Sequence, residues 1–202
     1  ASLLLGPLLR DVGERDATLW VETDTPCSVT VRAGAASAEA KTFTVAGHHY
    51  APVILTGLQP APSTPYEVLL DANLVWPEPE SGFPPSRIRT VDARRQIEIA
   101  FGSCREPPSV RPTDKALDPD IFEAYAHRMA GRPDTAWPDI LLLIGDQVYA
   151  DDTSAKVRDF IRSRRDIRRP PKAEVADFEE YTQLYYESWG EPAVRWLLST
   201  LP

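Results

Sequence analysis

Two short stretches of the sequence carry side chains suited to holding a metal ion. Phe101-Gly-Ser-Cys104 and, about forty residues later, Ile144-Gly-Asp-Gln-Val-Tyr149 each close an apolar run, 97–101 and 139–144. Runs of this kind predict buried strands, so a thiol, a carboxylate and a phenol should emerge at strand ends, where open α/β sheets place ligands. Ionised, all three are anionic donors, and anions gathered in one crevice repel one another unless a cation lies between them. The chemistry expected is therefore metal-assisted. Each residue also has a plainer use. Cys104 suits a small buried apolar position, and Tyr149 could pack as an aromatic or swing back beside Asp146. Asp146, directly after an apolar strand, must point into the crevice or find donors in its turn. Gly145 permits the close backbone approach that such a turn needs.

The elements that must carry these residues change character near residue 93. Before it, short alternating or β-branched runs at 3–9, 17–22, 28–32, 42–45, 52–56, 66–70 and 88–91 are punctuated by Gly, Pro and Asp, which predicts a β-sandwich over 1–92. In the second run Leu19 and Val21 share one face and Trp20 takes the other, so this strand could lie under a neighbouring domain. Leu55-Thr-Gly-Leu-Gln-Pro60 followed by Thr64-Pro-Tyr66 resembles the corner of a fibronectin type III-like sandwich, which implies that the Tyr66 hydroxyl bonds back across that corner.

From 93 to 202 the pattern becomes strand, loop, helix, strand, then helices over 154–166, 173–189 and 191–200. The first helix is expected to start at Asp118-Pro119 and to bury Ile121, Phe122, Tyr125 and Met129. The second strand is apolar throughout, as for a parallel strand covered on both faces. Two strands are too few for an independent sheet. The apolar end at Trp196, Leu197, Leu198 and Leu201 is expected to need cover from a following segment of the same protein or from a neighbouring copy.

Composition narrows the partners. With 22 basic and 30 acidic side chains among 202 residues, a net charge of −8 argues against nucleic acid or an anionic membrane surface as the main partner. The arginines between 158 and 169 read as a charged helix face ending at Pro170-Pro171. No apolar stretch is long enough to span a bilayer. Two cysteines in unlike segments suggest no disulfide framework, so a reducing, cytoplasmic setting is expected. A targeting segment removed from the start would instead place the protein outside the cell.

The strand-end motifs also carry a family resemblance. Phe-Gly-Ser-Cys at one strand end and Gly-Asp-x-x-Tyr-Ala-Asp at the next, within Trp137-Pro-Asp-Ile-Leu-Leu-Leu-Ile-Gly-Asp-Gln-Val-Tyr-Ala-Asp-Asp152, resemble the PhoD-like alkaline phosphatases. These, also called alkaline phosphatase D, fall in the calcineurin-like metallophosphoesterase superfamily. The resemblance covers the whole chain. It implies a β-sandwich ahead of an α/β metallophosphoesterase domain, a phosphate ester substrate, and Fe3+ and Ca2+ as cofactors. On that basis Cys104, Asp146 and Tyr149 become ligands of the ferric ion, with Asp146 bridging to calcium. Asp146 is then also catalytic, and Arg105 could meet a phosphate oxygen or lie on the surface.

A thiol and a phenol, with ordinary pKa values of about 8.5 and 10, need a strong Lewis acid to be held as anions near neutrality. Asp151 and Asp152 are expected to cap the next helix. The family's later Asp-Asp-His-Asp-like motif and distal histidine have no counterpart after Asp152, and His48, His49 and His127 are expected to be structural or exposed. The chain therefore reads as the N-terminal portion of such an enzyme, inactive or nearly so by itself. Two rivals are a non-catalytic binding protein using the sandwich and a different metal hydrolase on the same fold.

Overall fold

The computed structural model describes residues 1–60, 63–106 and 120–202. Its first part contains β1 (Leu3–Val12), β2 (Asp16–Thr23), β3 (Ser28–Ala33), β4 (Ala36–Lys41), β5 (Phe43–Val45), β6 (His48–Thr56), β7 (Thr64–Leu70), β8 (Asn73–Trp76) and β9 (Arg87–Ile88). They form two antiparallel sheets, one ordered β1-β2-β6-β5 and the other β4-β3-β7-β8, with β9 also pairing β7. Period-two alternation fills the space between them: Leu19 and Val21 of β2 meet Val29 and Val31 of β3, and Val53 and Leu55 of β6 meet Val68 and Leu70 of β7 in one buried cluster.

The face of β2 opposite that cluster is used as well. Trp20 packs against a second buried cluster built with Phe122, Ala126, Met129, Trp137 and the apolar residues 193–201. That cluster belongs to the second part of the chain, made of β10 (Ile99–Gly102), α1 (Ile121–Ala130), a single 3-10 turn (Asp134–Ala136), β11 (Ile140–Leu143), α2 (Ala155–Arg164), α3 (Phe178–Trp189) and α4 (Pro192–Thr200). β10 and β11 pair in parallel. The expected helix start at Asp118-Pro119 and most of the Pro-rich loop before it lie outside the described residues. Within them, Asp120 caps α1, its Oδ1 accepting from the Phe122 N–H at 2.8 Å.

Several expectations change. Trp196, Leu197, Leu198 and Leu201 need no outside cover, because α4 lies across β1 and α1 and all four are buried there with Leu8. The bare apolar surface lies elsewhere. Leu141 and Leu143 of β11 face α1 and α4, whereas Ile97, Ile99, Phe101, Leu142 and Ile144 are all exposed, Phe101 at 73%. β11 is thus covered on one face and not on both. Tyr66 does not close a corner within the sandwich: its buried hydroxyl donates to the carbonyl of Ser199 in α4 at 2.6 Å. Ser154, not Asp151 or Asp152, caps α2, its Oγ accepting from the Val157 N–H at 3.1 Å.

A polar seam joins the sandwich to α3. His48 Nδ1 lies 2.6 Å from Glu22 Oε1 and its Nε2 lies 3.1 Å from Glu179 Oε2, while the Tyr186 hydroxyl donates to the same Glu22 oxygen at 2.5 Å. His49 turns away to Thr44, and His127 is exposed beside Phe83. The arginines of α2 and the following turn form a charged face, Arg162 paired with Asp159, Arg164 with Asp177 and Arg165 with Glu180. No helix among the described residues is long and apolar enough to cross a membrane.

Candidate functional site

The parallel register sets the site. Ile99 pairs with Ile140 and Gly102 with Leu143, so the two strands end level and their C-terminal loops leave side by side. Past the strands the loops stay joined, Ile144 N–H donating to the Gly102 carbonyl at 2.9 Å and Arg105 N–H to the Asp146 carbonyl at 2.8 Å. Gly145 makes this approach possible. A Cβ on it would stand 2.6 Å from Cys104 N, 2.6 Å from Ser103 Oγ and 2.8 Å from Cys104 Sγ.

Cys104 and Tyr149 meet in the resulting crevice. The Tyr149 phenol lies close enough to the Cys104 thiol to lower its pKa, aided by Ser103 and by the backbone of Asp146. The same proximity, with some burial and the negative charge of Cys104 and Asp146, pushes the Tyr149 phenol up to about 12. Asp146 is exposed, and its charge opposes ionisation of both neighbours. Thiol, phenol and carboxylate are thus in one place, with an excess of negative potential that a multivalent cation would relieve. Among the described residues no three His, Cys, Asp or Glu side chains gather as a metal site; here the third donor would be a tyrosine.

Arg105 is neither on the surface nor free to meet phosphate. It is 3% exposed, and its Nε and Nη2 donate to Asp120 Oδ2 at 3.0 and 2.5 Å. Nη1 donates to the Ser188 carbonyl at 2.7 Å and to its Oγ at 2.6 Å, and Nη2 reaches Glu191 Oε2 at 2.9 Å. A guanidinium has five N–H donors, and these five bonds use them all. The ring of Phe122 closes the pocket, 5.7 Å from the guanidinium carbon. Burial pushes the Glu191 carboxyl up even though Arg105 draws it down.

On the other side, the Ser188 hydroxyl donates to the Gln147 carbonyl at 3.2 Å, and Gln147 Nε2 donates to the Gly145 carbonyl at 3.0 Å. Val148 and Ala150 pack on Val157, Ile161 and Leu184 of α2 and α3, which anchors the loop on either side of Tyr149. Sequence reasoning did not find Asp120, Ser188 or Glu191; only the helix-start position of Asp120 offered a signal.

The chain shares its fold with part of PhoD. A solved structure described as "Structure of PhoD" matches 98% of this chain with a TM-score of 0.64 at 14% identity, and the chain spans 37% of that PhoD chain. Residues 1–88 match the family model described as "Domain of unknown function (DUF7800)". No curated protein matches the chain. The likeness to PhoD is one of fold: antiparallel sheets of a sandwich, followed by the parallel strand pair with its helices.

Proposed function

We propose that this chain is the N-terminal part of a metal-dependent hydrolase of phosphate esters, PhoD-like in its centre. In this reading residues 1–92 are a fibronectin type III-like sandwich and 93–202 the first part of a metallophosphoesterase domain. Cys104, Asp146 and Tyr149 would hold a ferric ion, with Asp146 also available to a neighbouring calcium. The observation that carries the reading is the meeting of the Cys104 thiol and Tyr149 phenol beside Asp146, at the level ends of two parallel strands. When bound, the metals would polarise a phosphoryl oxygen and lower the pKa of a water. The chain's own residues hold the donors in place: Gly145 brings the loops together, and Ser103 and the Asp146 backbone support the sulfur.

The exposed row Ile97, Ile99, Phe101, Leu142 and Ile144 is the surface on which a further segment of the same protein would pack. A reducing compartment suits a centre that depends on a free thiol, and both cysteines are unpaired. The test is metal analysis and hydrolysis of an activated phosphodiester by the full-length polypeptide, against Cys104→Ala and Tyr149→Phe. Iron at about one per chain in the parent, together with loss of iron and a fall of roughly 100-fold or more in turnover in the variants, is expected. A parent that hydrolyses the ester equally well after either substitution would sink the assignment.

A further inference from the structure

We propose that Arg105 is a positioning residue of the candidate centre, its buried guanidinium bracketing the Cys104 loop to the Asp146–Tyr149 loop and so setting the gap between their donors. The role assigned to that gap rests on the metal-hydrolase reading, but the bracket itself does not.

The donors are held poorly from their own side. Cys104 and Asp146 are exposed and Tyr149 is only half-buried, so packing around them cannot fix their spacing. The strands have ended, and the backbone bonds across the gap are those of Ile144 and Arg105. What fixes the loops lies beneath them. Arg105, next in sequence to Cys104, turns inward and ties its loop to three helix ends: the Asp120 cap of α1, the last turn of α3 at Ser188, and Glu191 at the start of α4. Ser188 completes the bracket. Its Oγ accepts from Arg105 and donates to the carbonyl of Gln147, the residue directly after Asp146 in the opposite loop.

The geometry requires a guanidinium. It reaches two carboxylates, a carbonyl and a hydroxyl at once through a planar fork, whereas a lysine ammonium has three donors on one atom. The open carbonyl of Ser188 in the last turn of α3 is also a favourable place for a cation. Arg105→Lys should therefore keep the charge pairing with Asp120 and the fold, yet release the far loop. Ser188→Ala breaks the same link without touching a charge.

The experiment uses the full-length polypeptide and two readouts. Amide hydrogen exchange is followed at Arg105 and Ile144, which join the loops, and at Leu141 in the packed strand. Ferric ion is titrated alone, its binding followed by the visible phenolate-to-iron absorption, with Tyr149→Phe as the blank. In Arg105→Lys and Ser188→Ala, faster exchange at the two joining amides with Leu141 unchanged is expected. Iron affinity should fall by about tenfold or more. Unchanged exchange at Arg105 and Ile144 in both variants overturns the bracket, as does acceleration that Leu141 shares, which would mark a general loss of packing. Should the parent bind no iron, the metal reading fails by itself and exchange still decides the bracket.

Discussion

At Gly145 the difference between a glycine and an alanine is one carbon placed 2.6 Å from a backbone nitrogen and a serine oxygen. The Cys104 nitrogen cannot swing aside like a side-chain tip, so Gly145→Ala should part the two loops. A cost of about 1–3 kcal/mol is expected from overpacking of this kind, read by chemical denaturation, and under the proposed metal reading Fe3+ affinity should fall alongside. Full retention of both would show that the strand ends tolerate separation. The need for close approach at this residue was legible in the sequence because a carboxylate follows it directly at a strand end. The fate of Arg105 was not legible. Its partners lie 15, 83 and 86 residues away, and no local pattern distinguishes an arginine that meets phosphate from one spent on three helix ends.

Among the elements, the pair β10 and β11 shows most plainly how patterning can mislead. A strand apolar throughout suggests cover on both faces, but here one face meets α1 and α4 while Phe101 stands 73% exposed on the other. Phe101→Glu should leave the melting temperature of this chain within a few degrees, since an exposed side chain contributes within about 0.5 kcal/mol, and should reduce binding of a hydrophobic dye. In a longer polypeptide that carries the proposed further segment the same substitution should destabilise; equal melting in both would argue against packing there.

The seam at α3 should respond to pH. Burial alone would push the His48 pKa down, but the bonds to Glu22 and Glu179 outweigh it and hold the imidazole above its ordinary range. Tyr50, raised to about 12 chiefly by burial, and Tyr186, raised likewise, stay neutral beside it. A raised pKa in the folded state gives stability that is complete below about pH 6.5, the unfolded histidine value, and is lost as pH rises through the folded value. His48→Gln should therefore cost about 1–3 kcal/mol at pH 6, with the gap to the parent narrowing toward pH 9 in denaturation curves; a gap that widens would reverse the sign.

Two strands escaped the sequence reading for separate reasons. β4 is Ala-rich, and alanine is depleted in strands. The hairpin into β8 turns through Asp71 and Ala72, both at positive φ, without the Asn-Gly or Asp-Gly signal such turns usually show.

For the molecule as a whole, the change of pattern near residue 93 is a change of secondary structure and not of burial. Leu8 and Trp20 of the sandwich belong to the cluster of α1 and α4, and the outward face of β2 was the one feature in the sequence that hinted at this. The polar contacts cross the same line: Ser86 Oγ lies 2.6 Å from Ser199 Oγ, Trp196 Nε1 donates to the Pro84 carbonyl at 2.7 Å, and Arg195 donates to the Gly6 carbonyl at 2.6 Å and to Glu78 at 2.6 Å. Tyr66→Phe leaves the Ser199 carbonyl without its buried donor and should cost about 1–2 kcal/mol, measured by thermal or chemical unfolding of the full chain. The same substitution in an isolated 1–92 fragment should be nearly silent, and an equal cost there would mean the hydroxyl acts inside the sandwich. α4 is held by Arg105 at one end and by Ser86 and Tyr66 at the other. In a screen for inactivating lesions of the full-length gene, hits at Tyr66, Ser86 and Arg195 would accordingly group by phenotype with hits at Asp120 and Arg105, although a linear map would assign them to different modules.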